Sequence, residues 1–202
     1  SIWCGEIVLS EIQKEKLIEK MRKMGRIGCL KGAQVNKDKK IQAIKGANTW
    51  ARNIISEVSL RDKLMVGIAL YWAEGSKAET TTGFIFVNSD PVMVRYMYEW
   101  LIDIIKVPKE EITVKISINE IHGYRIHKVL NFWSNLLDLP KEAFSKPFFA
   151  KSMQKKVYEN HDVHYGVLRL SVRKSTLLKY RVLGLIDFLK AGVAQVVRAN
   201  AS

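Results

Sequence analysis

The sequence predicts an α+β domain in which helices pack on one face of a small, mainly antiparallel sheet. Ile112–Ile118 alternates strictly between apolar and polar residues, Tyr165–Arg173 alternates again, and a third segment, Thr80–Asn88, is β-branched and aromatic. Helix-patterned stretches separate them, so the order from residue 60 is helix, strand, helix, strand, helix, loop, strand, helix. With 202 residues, 48% of them hydrophobic, and only 4 prolines, the chain can build a core and is neither a fibrous repeat nor a disordered tail.

The elements follow in order. Ser10–Met24 opens with a Ser cap, places Glu11 in the first turn, and spaces Ile12, Leu17, Ile18, Met21 and Met24 as an amphipathic helix does. Gly25, Gly28 and Gly32 should interrupt it. Lys31–Arg61 reads as a second, basic helical stretch with weak periodicity and a break near Gly46, suited to a connector or a phosphate-facing arm. Leu60–Glu74 is the most apolar helix, and Gly75 stands where a helix would end on a left-handed residue. After the Thr80–Asn88 strand, Ser89-Asp90-Pro91 caps a helix that runs to about Lys106, ahead of Pro108.

Ile112–Ile118 turns its four apolar side chains to one face and Thr113, Lys115 and Ser117 to the other. Tyr124–Leu137 is helical and stops before Pro140. Phe144–Asn160 mixes aromatics and lysines around Pro147 and reads as a long basic loop. In Tyr165–Arg173 the residues Leu168, Leu170 and Val172 point inward and Arg169, Ser171 and Arg173 outward, after which Ser175 caps a last helix, Thr176–Leu189. The organisation expected is therefore residues 1–10 as a terminal remnant, 11–59 as a basic helical connector, 60–190 as the α+β domain, and 191–202 as a tail.

Charge points to the partner. The net charge is +13, and it is grouped: Lys14–Lys63 holds 14 basic and 5 acidic residues, Lys141–Arg181 holds 10 and 3, and Leu64–Pro140 is close to neutral. Two cationic territories of this size favour a polyanion, although a single run of this kind is as readily a solvated face. The basic side of the sheet, with Lys115, Arg169 and Arg173, could lie against a nucleic-acid groove or simply face water. Lys77, Thr113, Ser117, Ser171 and Lys174 belong to the same candidate surface, and Lys146, Lys151, Lys155 and Lys156 with Phe148 and Phe149 could clamp a backbone.

Other chemistries find little support. Cys4 and Cys29 form neither a disulfide framework nor a metal knuckle, which fits a reducing cytoplasm. No apolar run reaches the length of a membrane span, and Ser1–Ser10 lacks signal-peptide order. His161, Asp162 and His164 with Glu159 could ligate Zn²⁺ but have no third His or Cys nearby, so a polar loop explains them as well. His122 and His127 flank a turn. Tyr96, Trp100, Phe132 and Trp133 sit at core-helix spacing. The chain has no P-loop, no GxGxxG fingerprint and no Ser-His-Asp order.

Within Gly67–Gly75 (GIALYWAEG), Ala69 and Ala73 share a helical face with Val66 and Leu70, and small residues at that spacing let two helix backbones approach closely. Glu74 lies at the negative end of the helix dipole, an awkward place for a carboxylate unless a cation compensates it, and that mismatch suggests a metal. These residues resemble a diverged LAGLIDADG motif, the dimerisation and catalysis helix of a homing endonuclease family, with Leu70, Ala73, Glu74 and Gly75 as the best matches. GIALYWAEGSK followed by a strand ending in NSDP is similar to a group of microbial and phage proteins that join an N-terminal helix-turn-helix to this fold. The resemblance covers about Leu60–Lys190.

It implies a homodimer paired through Val66, Ala69, Leu70 and Ala73, double-stranded DNA as partner, and Glu74 as the catalytic ligand of Mg²⁺. Trp72 replaces an additional Asp of the family's usual motif, and some members only bind DNA, so a non-catalytic DNA-binding regulator or mobile-element protein is the alternative. RNA is a further partner, since related folds assist intron splicing. Val182–Lys190 shares GLID with the motif but has Leu189 and Lys190 where the acid and glycine should be, which leaves Asp187 a surface residue. Ser1–Ser10 resembles the end of a recognition helix and its linker, and the chain does not begin with Met, so the group's N-terminal module would lie upstream. Ala191–Ser202 is similar to the translated start of a transfer-RNA gene, which would leave this tail disordered and the protein among microbial, nucleoid-associated ones.

Overall fold

The computed structural model describes residues 9–151 and 164–199 and divides into two compact units, with the boundary between Glu57 and Val58. The described part of the first unit is a helix, α1 (Glu11–Ile55), of 45 residues, or about 67 Å at the usual rise per residue. Ser10 accepts from the Gln13 amide while the Gln13 side chain accepts from the Ser10 amide, a reciprocal cap. The expected interruption at Gly25, Gly28 and Gly32 and the break near Gly46 do not occur. A glycine costs a helix about 1 kcal/mol against alanine but removes no hydrogen bond, and the Lys, Gln, Ala and Ile between these glycines favour helix enough to carry it through. None of the residues of α1 is buried.

The second unit is α+β. Its elements are α2 (Leu60–Glu74), β1 (Ile85–Asn88), α3 (Pro91–Glu99), which continues as a π-helical turn over Trp100–Ile104, β2 (Ile112–Asn119), α4 (Ile126–Leu137), β3 (Phe144–Ala150), β4 (Val167–Val172) and α5 (Thr176–Ala199). The sheet order is β1-β4-β2-β3, with β4 antiparallel to both neighbours and β3 parallel to β2. The basic loop expected over Phe144–Asn160 is thus corrected in its first half. Pro147 misled because it reads as a strand breaker, but β3 is an edge strand, and Lys146 and Pro147 together oppose Ile116 in a bulge where a missing N–H breaks no ladder bond.

Alternation decides which face is covered. Ile112, Val114, Ile116 and Ile118 of β2 are buried, as are Leu168, Leu170 and Val172 of β4 and Phe86 of β1. They form one core with Ile68 and Tyr71 of α2, Val94 and Met97 of α3, Val129 and Trp133 of α4, and Val182 and Ile186 of α5. A ring stack of Tyr71, Phe84 and Trp100, with centroids 4.3 and 6.4 Å apart, joins α2 to the sheet and to the π turn. Gly67 is what admits Trp100: a Cβ there would stand 2.1 Å from the indole nitrogen.

Local caps set the helix ends. Asp90 accepts from the amides of Val92 and Met93 at the start of α3, ahead of Pro91. Ser59 and Asp62 exchange bonds at the start of α2, and the Ser59 hydroxyl and amide hold the Asp62 carboxyl below its ordinary pKa. Ser175 stands at the N-terminal cap of α5, its carbonyl accepting the Lys179 amide, while its hydroxyl receives the Phe84 amide and donates to the Val172 carbonyl, tying the entry of β1 to the exit of β4. α5 also runs on to Ala199, past the predicted end at Leu189, so the tail is helical to that point.

Candidate nucleic-acid interface

The uncovered side of the sheet is built by the residues between those of the core. Across it stand Ile85 and Val87 of β1, Val167, Arg169 and Ser171 of β4, Thr113, Lys115 and Ser117 of β2, and Ser145 and Phe148 of β3. This face contains cations, hydroxyls and apolar groups, and none of its strand positions is acidic. Lys115 lies directly opposite Arg169, and among the described residues neither has an ion-pair partner. Like charges directly opposed on an antiparallel pair destabilise it by roughly 0.2–1 kcal/mol. The Thr113 hydroxyl donates to the Ser171 carbonyl at 3.0 Å and lies 2.9 Å from the Ser171 hydroxyl, so these two groups are already engaged with each other. Ser117 faces Val167 on one side and Phe148 on the other.

Phe148 adds an aromatic to this surface. The residue is 53% exposed, and the Lys115 ammonium lies 5.7 Å from its ring centroid. Phe149, paired in sequence reading with Phe148, turns instead toward the helix side at the sheet edge: it registers with the buried Ile118, and its ring lies next to Gly123. Lys146 in the bulge, Lys151 just past β3, and Arg173 and Lys174 in the turn after β4 are exposed. Lys155, Lys156, His161 and Asp162 lie outside the described residues. His164 accepts the Gly166 amide through its Nδ1 at 3.1 Å.

The end of α2 has a different structure from the one expected. Gly75 is extended, with φ −74° and ψ 152°, so no left-handed residue ends the helix. Its need for glycine is steric, because a Cβ there would stand 2.5 Å from the Tyr71 ring and carbonyl. The cation that the helix terminus calls for is present within the chain: the Lys77 ammonium donates to the carbonyl of Trp72 at 2.6 Å and of Ala73 at 3.4 Å. Lys77 therefore closes α2, and the dipole no longer requires a metal beside Glu74. Glu74 is exposed, and among the described residues no three His, Cys, Asp or Glu side chains cluster closely enough to hold a metal ion. The described residues of one protomer therefore do not fit a Mg²⁺ site.

Val66, Ala69 and Ala73 lie on the exposed side of α2, and Leu70 is half-buried against the core. The face is therefore open to a partner, with Trp72 at its flank under the Lys190 ammonium. Asp187 is exposed and paired with Lys190 at 3.0 Å.

One buried cation escaped the sequence reading. Lys179 of α5 is 2% exposed, and its ammonium donates to the carbonyls of Ala78 at 2.7 Å and Thr81 at 2.5 Å. With the Thr176 hydroxyl on the Thr82 carbonyl, it fixes the strap that leads from Glu74 to β1. Nothing in the local pattern of α5 distinguishes this lysine from its exposed neighbours.

Comparison of the chain with protein-family models, curated proteins and solved structures finds no match. Among the described residues no helix is long and apolar enough to cross a membrane.

Proposed function

We propose that the second unit binds double-stranded DNA by laying the outer face of its sheet along the phosphate backbone, as a pair of chains associated through the Val66–Ala69–Ala73 face of α2. The observation behind this reading is the opposed pair Lys115 and Arg169 on a strand face without acids. The two cations face each other there with no acidic partner among the described residues, and a polyanion would turn their repulsion into attraction. The grouped charge of the sequence, with Lys146, Arg173 and Lys174 around the rim, agrees with it.

Binding without cleavage is the form this geometry supports best, because one exposed carboxylate is too few to hold a divalent ion. The open face of α2 supports a second reading, in which pairing brings two Glu74 carboxylates together for Mg²⁺-dependent hydrolysis.

The double variant Lys115→Gln/Arg169→Gln tests the interface. Each lost phosphate contact should flatten the logarithmic salt dependence of duplex binding by about 0.9, so the slope falls by nearly two in fluorescence anisotropy. An unchanged slope removes the sheet face from the interface. Supercoiled plasmid with Mg²⁺ should be retarded but not nicked; nicking abolished by Glu74→Gln would establish the hydrolytic reading instead. Competition by structured RNA that outmatches duplex DNA would reassign the partner.

A further inference from the structure

The sheet face pairs a flat aromatic ring with a cation on the neighbouring strand, and a duplex has little use for the ring. In paired, stacked DNA both faces of every base are covered, and only base edges reach the groove floor, so an aromatic side chain can meet at most a thymine methyl. A base that has left its stack offers its own π-face, tethered by a short sugar to an anion. Phe148 and Lys115 match that combination: Phe148 is 53% exposed and the ammonium stands 5.7 Å from its ring centroid, near the outer limit of cation–π attraction, so phosphate can draw it away at little cost. The surroundings agree. Ser117 lies beside the ring in register, Ser145 lies beside Lys115, and Arg169 lies across from it, which supplies small hydroxyls and a second cation along the same line.

The bulge also has a part in this. Because Lys146 and Pro147 together oppose Ile116, the register shifts by one and brings Phe148 to the outer face; a regular continuation from Ser145 would place residue 148 on the core side. A large aromatic on the solvent side of an edge strand is otherwise a liability for aggregation.

We propose that Phe148 is a stacking platform for an unpaired base in DNA, with Lys115 taking the adjacent phosphate, so that the protein prefers a duplex containing bulged nucleotides over a fully paired one. This rests on the sheet-face reading above.

Anisotropy with two labelled DNAs tests it, a fully paired duplex and the same duplex interrupted by a central run of unpaired thymines. The wild-type chain should bind the bulged DNA roughly tenfold more tightly, as base–aromatic stacking implies. Phe148→Leu, which keeps an apolar side chain and removes the π-face, should abolish the preference, whereas Phe148→Tyr should retain it. Lys115→Gln should weaken binding of both DNAs. Equal affinity of the wild type for the two DNAs, or a preference that survives Phe148→Leu, overturns the stacking platform and leaves the sheet-face reading intact. Failure of the wild type to bind either DNA overturns both.

Discussion

On the inner face of the β2–β4 pair, Val114, Ile116, Leu168 and Leu170 are each 0% exposed, whereas on the outer face Lys115 and Arg169 stand opposed to one another in reach of solvent. The same two strands thus carry a surface optimised for folding and a surface that works against it. Inner positions gain by transfer from water and by close packing. Outer positions lose a little to repulsion between Lys115 and Arg169, and among the described residues no acidic side chain pairs with either cation. The apolar burial that stabilises this sheet lies on its inner side, while the outer side contributes only a hydroxyl pair, Thr113 and Ser171, and the contact of Lys115 with Phe148.

The comparison can be broken most severely at neighbouring residues. Leu170→Ala should destabilise the second unit by roughly 2–5 kcal/mol, lost transfer energy plus cavity, while Arg169→Ala leaves its stability unchanged or slightly raised. Thermal unfolding of the two variants checks this; equal losses would show that the outer face is packed after all. A step down in size, Gly67→Ala places a methyl group where the Trp100 indole lies and should cost roughly 1–3 kcal/mol by overpacking, despite the better helix propensity of alanine. A gain in stability there would mean that the indole is not seated on α2. The smallest effect sharpens the contrast. Lys115→Glu creates an opposite-charge pair with Arg169 and should add roughly 0.2–1 kcal/mol to stability while weakening binding to duplex DNA, so fold and function move in opposite directions. If both moved together, the outer face would be structural.

Much of this arrangement was legible in the sequence because the side-chain period of a half-buried strand is a strong signal. Ile112–Ile118 and Leu168–Val172 announced both which residues pack and which face stays open, and the cationic character of the open face followed directly. β3 was hidden, because Pro147 and its lysines suit an edge bulge and a loop equally well, and only pairing with β2 distinguishes them. α1 was divided by reading glycine as a breaker, although glycine weakens a helix without severing its hydrogen bonds. At Glu74 the sequence revealed that a cation was needed but not that Lys77 would supply it, since that depends on where the chain turns after Gly75. The Val66–Ala69–Ala73 face was legible as a pattern of small residues, and its exposure in the folded protomer is what keeps it available for pairing.

The strap after α2 has a consequence for how the molecule assembles. Its carbonyls at Ala78 and Thr81 are held by a lysine about a hundred positions later in the chain, 101 and 98 residues away respectively. Closing so long a loop carries a cost in chain entropy that contacts made elsewhere in the fold must offset. The segment that carries Glu74 and Lys77 toward β1 therefore takes its final course only once the chain as far as Lys179 is in place.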